Sequence, residues 1–285
     1  MRRFLKQRFR RFLPRALRRT LRQRFEAKFN STVQTELRVE EIDSTLCCTV
    51  DRLWSFLVPA ARKDDLDYLT TTSEGRGEIY NIAAAARQGG VLFDIGAHSG
   101  LISALFCAAH PRNRVFSFEP SPVLAERLRD ISQLNRFGER MRIEQIGIGE
   151  TTATTEMLLD PVSGFVQAKR FDHTMWESPQ TVQIRTERIA DAAARLHIIP
   201  QYIKLDIEAY EFEAIKGSLE FLASHKPTIF LELHLDYLEQ RGLSAKAVVE
   251  MLEECGYELF TCSGSRLKAK TLYDSPLPNV NVVAR

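Results

Sequence analysis

From residue 88 onward, short apolar runs alternate with segments of helical pattern. Residues 91–95, 114–118 and 142–146 read as strands, and the stretches 99–110 and 122–135 between them read as helices. Alternation at this spacing predicts a parallel sheet covered by helices on both faces. Beyond Gly149 the rhythm loosens: 154–159 and 181–189 look like strands around an inserted loop at 160–179. It then resumes with a strand at 202–207, a helix at 209–216 closed by Gly217, a strand at 228–234 and a helix at 244–255. The last strands, 257–261 and 280–284, are expected to form a hairpin. Residues 30–85 mix polar and apolar positions without a motif and are expected to form helices that cover the following domain.

At the N-terminus, Phe4, Leu5, Phe9, Phe12, Leu13, Leu17, Leu21 and Phe25 recur at helical intervals. Pro14 would kink or split such a helix. Residues 1–24 carry eleven of the 39 Arg and Lys residues and no acid, which leaves 28 basic against 37 acidic side chains in the body, a balance of −9. A basic amphipathic segment of this kind suits an anionic membrane surface, a solvated arm, a helix docked on the acidic body, a transit peptide or a nucleic-acid arm. The organisation expected is a basic amphipathic leader (1–28), a helical cover segment (29–85) and one α/β domain (86–285). Five cysteines, an odd number without CxxC spacing, argue against a disulfide framework and suit a reducing compartment. No apolar run reaches the roughly 18–20 residues that span a bilayer. A cytoplasmic protein, peripheral at the membrane if the leader binds lipid, is the expectation.

Chemistry enters with "VLFDIGAHSG", residues 91–100. In a doubly wound sheet, ligands lie outside the carboxyl ends of the strands, where this run delivers Asp94 and the turn after it. Gly96 and Gly100 let the backbone bend and approach a ligand, and Ser99 is placed to cap the next helix. The second strand ends in Glu119-Pro120, and an acid there suits the two ribose hydroxyls of an adenosine cofactor. A nicotinamide dinucleotide and S-adenosylmethionine both remain open, although the turn lacks the GxGxxG that cradles a pyrophosphate. Asp94 caps the turn or holds the ammonium of S-adenosylmethionine.

"VLFDIGAHSG", "VFSFEPSP", "LNRFG", "IKLDIEAYEFEAIKG" and "IFLELH" follow one another in the order and spacing of the FkbM-like methyltransferases, which the chain resembles over roughly residues 78–240. The resemblance implies a class I methyltransferase fold, Rossmann-like, with a mostly parallel seven-stranded sheet whose last strand is reversed. It also implies S-adenosylmethionine as cofactor and O-methylation of a hydroxyl on a small molecule, saccharide or lipid-linked glycan. Asp94, Gly96, Ala97, His98, Ser99, Gly100, Glu119, Pro120 and Ser121 are then the cofactor-binding candidates. Two positions depart from the family pattern: His98 stands where Asn is usual, and Ala209 where Gly is usual.

Alcohol methylation needs alignment and removal of the hydroxyl proton. The strand at 202–207 brings Asp206 and Glu208 to the carboxyl edge, with Lys204 on the same face as Asp206 by the period of two. The same period pairs Glu232 with His234, which is placed to accept the proton near neutral pH with Asp206 or Glu232 orienting it. The catalytic candidates are Asp206, His234, Glu208 and Lys204; Glu211 reads as an acid in a first helical turn. A carboxylate and histidine cluster of this kind also suits a divalent metal that lowers the hydroxyl's pKa, but no metal set is assigned, because nothing in the sequence sets ligand geometry. Nucleic-acid methylation, suggested by the basic leader, is disfavoured by the two acids of "DIEA", which would repel phosphate. A membrane-peripheral binding module with a degenerate methyltransferase fold is the alternative from another class.

Overall fold

A computed structural model of the chain describes residues 35–71, 73–167, 176, 178–208, 210–267 and 279–285. The leader 1–28, residues 168–175 and 177 of the expected insert, and Ala209 lie outside the described residues.

The helical expectation for the cover segment is corrected in its first half. Strands β1 (Leu37–Ile42), β2 (Thr45–Val50) and β3 (Trp54–Pro59) form an antiparallel three-stranded sheet. In β2, "TLCCTV" buries Leu46, Cys48 and Val50 on one face, the period of two that marks a half-buried strand. Helices α1 (Lys63–Thr71) and α2 (Ser73–Gln88) follow as expected.

The main sheet begins with β4 (Val91–Ile95), α3 (Leu101–Ala109), β5 (Arg114–Phe118), α4 (Pro122–Leu134) and β6 (Met141–Glu144). Ser121 caps α4 by accepting the Leu124 N–H, and Pro122 takes the first helical position, where its missing N–H costs nothing. The chain then leaves the sheet to build β7 (Gly147–Ile148), β8 (Ala153–Leu159), β9 (Val166–Gln167) and β10 (Gln180–Glu187), a four-stranded accessory sheet of order β7-β10-β8-β9. It returns through α5 (Ile189–Leu196), β11 (Tyr202–Leu205), α6 (Glu211–Lys216), α7 (Leu219–His225) and β12 (Thr228–His234). The last elements are α8 (Leu235–Gln240), α9 (Ala245–Glu254), β13 (Leu259–Thr261) and β14 (Asn279–Ala284).

The seven-stranded order is β13-β14-β12-β11-β4-β5-β6, with β14 antiparallel to both neighbours. From β4 the chain winds outward through β5 and β6, then crosses back to β11 on the other side. Strand order therefore reverses between β4 and β11, the crevice where ligands of such sheets bind.

Phe93 and Ile95, Phe116 and Phe118, Ile203 and Leu205, and Ile229, Leu231 and Leu233 point to one face, packing with Ala192 and Ala193 of α5 and Val248, Val249 and Leu252 of α9. Leu92, Val115 and Phe230 point the other way, against Ile79, Ile82 and Ala83 of α2 and Leu105 and Phe106 of α3. By the period of two, the polar residues Asp94, Ser117, Lys204, Glu232 and His234 all fall on this second face. They are buried there, near the carboxyl edge.

Candidate functional site

The turns after β4 and β11 touch. Gly96 has φ 77°, and a Cβ there would stand 1.8 Å from the carbonyl oxygen of Asp206, so a side chain is excluded. The N–H groups of Gly96 and Ala97 donate to Phe118 O at 2.9 and 3.1 Å. Lys204 Nζ ties the two turns together, donating to Gly96 O at 2.9 Å and to Asp206 Oδ2 at 3.0 Å. His98 has φ 48°, in the left-handed region that Asn and His enter more readily than bulkier residues. Its ring packs 5.0 Å from that of Phe165. Ser99, expected as the cap of α3, falls one residue short: Gly100 holds the N-cap position with φ 83°, and a Cβ on it would meet Leu128 at 2.7 Å.

Glu119 is buried at the end of β5, where Oε2 accepts the His98 N–H at 3.0 Å and Oε1 the Ser121 N–H at 2.9 Å. Burial pushes its carboxyl up to about 7, against those two hydrogen bonds and the charge of Lys204. Asp94 is fully buried; Oδ2 accepts from Ser103 Oγ at 2.5 Å, and Ser103 in turn meets Ser117 Oγ at 2.7 Å. Asp94 Oδ1 has no hydrogen-bond partner among the described residues and lies 3.9 Å from Lys204 Nζ.

Gly96, Ala97, His98, Ser99, Glu119 and Pro120 line one cavity of about 790 Å³, whose wall also includes Lys204, Asp206, Glu208, Glu232 and His234. Asp94, Gly100 and Ser121 are buried and do not line it. Its far side is built from Met157, Ile184 and Thr186 of the accessory sheet.

The catalytic candidates are brought together, with one correction. His234 Nδ1 lies 2.9 Å from Glu211 Oε1, while Nε2 lies 3.6 Å from Asp206 Oδ1 and 3.7 Å from Glu208 Oε2. Burial alone would lower the imidazole pKa, but the hydrogen bond and charge of Glu211, with Asp206 and Glu208, raise it to about 10. The expected neutral imidazole is thus an imidazolium at neutral pH, and its orienting partner is Glu211 rather than Asp206 or Glu232. Burial raises Glu208 above the usual carboxylate range, only partly offset by His234. Asp206 stays below that range despite its burial, because Lys204 and His234 favour its anion. Burial opposes the charge on Lys204, yet Asp206, Asp94 and Glu78 raise its pKa.

Two residues escaped the sequence reading. Glu211, read from the sequence only as an acid in a first helical turn, is fully buried and accepts the Ile207 N–H at 3.1 Å. Glu78 of α2 lines the cavity, and burial pushes its carboxyl up to about 7, with Lys204 lowering it and Asp206 and Asp94 raising it. Neither carried a local signal, since each faces the site only through helix packing.

The model of the methyltransferase FkbM domain matches residues 94–259. The chain belongs to the FkbM methyltransferase family. Among solved structures, the family member from Methylobacillus flagellatus is 15% identical, aligning over 79% of this chain and 60% of its own with a TM-score of 0.42. The chain thus spans about 60% of the length of that protein. Aeropyrum pernix fibrillarin, solved with natively bound S-adenosyl-L-methionine, is 10% identical over 88% and 99% of the two chains (TM-score 0.39). An O-methyltransferase family protein from Burkholderia thailandensis is 8% identical over 79% and 62% (TM-score 0.40). Comparison with curated proteins finds no match. In this FkbM-family chain no described helix is long and apolar enough to cross a membrane.

Proposed function

We propose that this FkbM-family chain is an S-adenosylmethionine-dependent O-methyltransferase acting on a hydroxyl of a small molecule, saccharide or lipid-linked glycan. The cofactor fits the residues present. Asp94 offers a buried carboxylate oxygen without a hydrogen bond among the described residues, Gly96 lets its turn lie directly against the Asp206 carbonyl, and Glu119 holds a carboxylate at the end of β5. Glu119 would accept from the ribose hydroxyls, with Pro120 and Ser121 shaping that end of the site. Asp94 would receive the ammonium beside Gly96, Ala97, His98, Ser99 and Gly100. When bound, S-adenosylmethionine supplies an electrophilic methyl on a sulfonium.

The observation that carries the reading is the pair Asp206 and Glu208 beside the Gly96 turn, one carboxylate held as an anion and the other with its pKa raised. A general base works best when its pKa approaches the working pH, so Glu208 takes the hydroxyl proton. Asp206, fixed by Lys204, orients the acceptor. His234, held by Glu211, sets its ring between the two carboxylates, with Nε2 3.6 Å from Asp206 Oδ1 and 3.7 Å from Glu208 Oε2. The cavity is large enough for a cofactor and a small acceptor together.

Calorimetry of S-adenosylmethionine and S-adenosylhomocysteine against the full chain and Glu119→Ala tests the cofactor assignment. Micromolar binding that weakens at least tenfold, about 1.4 kcal/mol, in the variant is expected. No binding by folded wild type overturns the reading. A panel of hydroxylated acceptors with ¹³C-methyl cofactor then distinguishes a methoxy product from an N- or C-methyl product by its carbon chemical shift.

A further inference from the structure

Asp206, Glu232 and His234 each present one donor atom to the cavity, and the three atoms lie within 4.8 Å of one another. The end of β11 supplies Asp206, while β12 supplies Glu232 and His234 from positions two apart, which share a face. Neighbouring groups orient Asp206 and His234. Lys204 binds Asp206 Oδ2 at 3.0 Å, leaving Oδ1 turned toward His234. Glu211 holds Nδ1 of an imidazole whose side chain is only 5% exposed. Nε2 of that buried ring faces Asp206 Oδ1 at 3.6 Å and Glu208 Oε2 at 3.7 Å, both beyond hydrogen-bond distance. A carboxylate on Nδ1 sets the ring orientation and leaves Nε2 to coordinate, the usual support of a metal-ligating histidine.

We propose that Asp206, Glu232 and His234 form a site for a divalent first-row cation, bound through one oxygen of each carboxylate and through Nε2. Two carboxylates balance the dication, and the ion replaces the proton on Nε2. Ligands sharing one ion at ~2.1 Å lie no more than ~4.2 Å apart, so modest side-chain rotation closes the set. Three protein ligands leave coordination positions open toward the cavity. An acceptor hydroxyl bound there is polarised and loses its proton more readily, with Glu208 beside it to receive that proton. This use of the ion rests on the methyltransferase reading; the binding site itself does not.

Mn²⁺ is the probe, added to the full chain without cofactor and followed by electron paramagnetic resonance. Expected are one tightly held ion, a ¹⁴N imidazole coupling in the spin-echo spectrum, loss of that coupling in His234→Gln, and at least tenfold weaker binding in Glu232→Gln. Absence of the nitrogen coupling in wild-type protein overturns the site, whatever the variants do. Affinity unchanged in both variants also overturns it, because the ion then sits elsewhere on the acidic surface. Cofactor binding, measured separately, distinguishes the two failures. Cofactor bound without Mn²⁺ defeats this site alone, and Mn²⁺ bound without cofactor defeats the methyltransferase reading alone.

Discussion

Glu211 Oε1 stands 2.9 Å from His234 Nδ1 and also accepts the Ile207 N–H, joining the first turn of α6 to the end of β12. The carboxylate is fully buried, so its removal leaves a buried imidazolium without its closest counter-charge. Glu211→Ala is expected to destabilise the chain by about 3 kcal/mol, read as a lower denaturation midpoint in urea. A shift within about 0.5 kcal/mol would show that the pair does not support the fold.

Gly96→Ala brings a Cβ against the Asp206 carbonyl at a backbone angle that L residues rarely adopt. The two turns must separate to accommodate it. The expected result is a loss of about 2–4 kcal/mol of stability together with loss of cofactor binding, measured by thermal unfolding and calorimetry on one preparation. Wild-type cofactor affinity in this variant would place the binding crevice elsewhere.

His98→Asn is expected to preserve both folding and cofactor affinity, because Asn enters the left-handed region readily. His98→Val should cost about 1–3 kcal/mol, since a β-branched side chain is strained there. Equal stability of the two variants would rule out backbone conformation as the constraint at this position.

As the proposed ribose ligand, Glu119 is expected to make cofactor affinity pH-dependent. Its carboxyl is pushed up to about 7 by burial, which Asp94 reinforces and which the N–H groups of Ser121 and His98 and the charge of Lys204 only partly offset. Only the anion accepts hydrogen bonds from both ribose hydroxyls, so affinity is expected to rise as pH goes from 6 to 8 and to flatten in Glu119→Gln. For stability the sign is opposite. The folded value lies above the usual 4.5, so the folded chain binds more protons between about 4.5 and 7. This group's contribution to stability is therefore present below that window and is lost as pH rises through it.

Glu208→Gln removes a proton acceptor while keeping its shape. With any hydroxyl acceptor that the wild type methylates, turnover should fall about 10²–10⁴-fold while cofactor affinity stays within twofold. An unchanged rate, measured as methoxy product over time, would move the base role to another residue.

Local pattern alone determined the α/β class, the strands that bring Asp94, Glu119 and His234 to the carboxyl edge, and the glycine turn after β4, because buried strands and glycine turns carry their signal in neighbouring residues. The pairing of Lys204 with Asp206, and of Glu232 with His234, followed from the period of two along a strand. Tertiary packing decided what no local period encodes. It made "TLCCTV" the middle of a small antiparallel sheet, because Leu46, Cys48 and Val50 acquire a face to bury only in a core shared with α2 and α3. It also turned Glu211 inward onto His234 and Glu78 onto the cavity, and so kept the imidazole charged. A protonation state is set by every charge within reach and by the loss of water around it, and those neighbours come from strands and helices far apart in the chain.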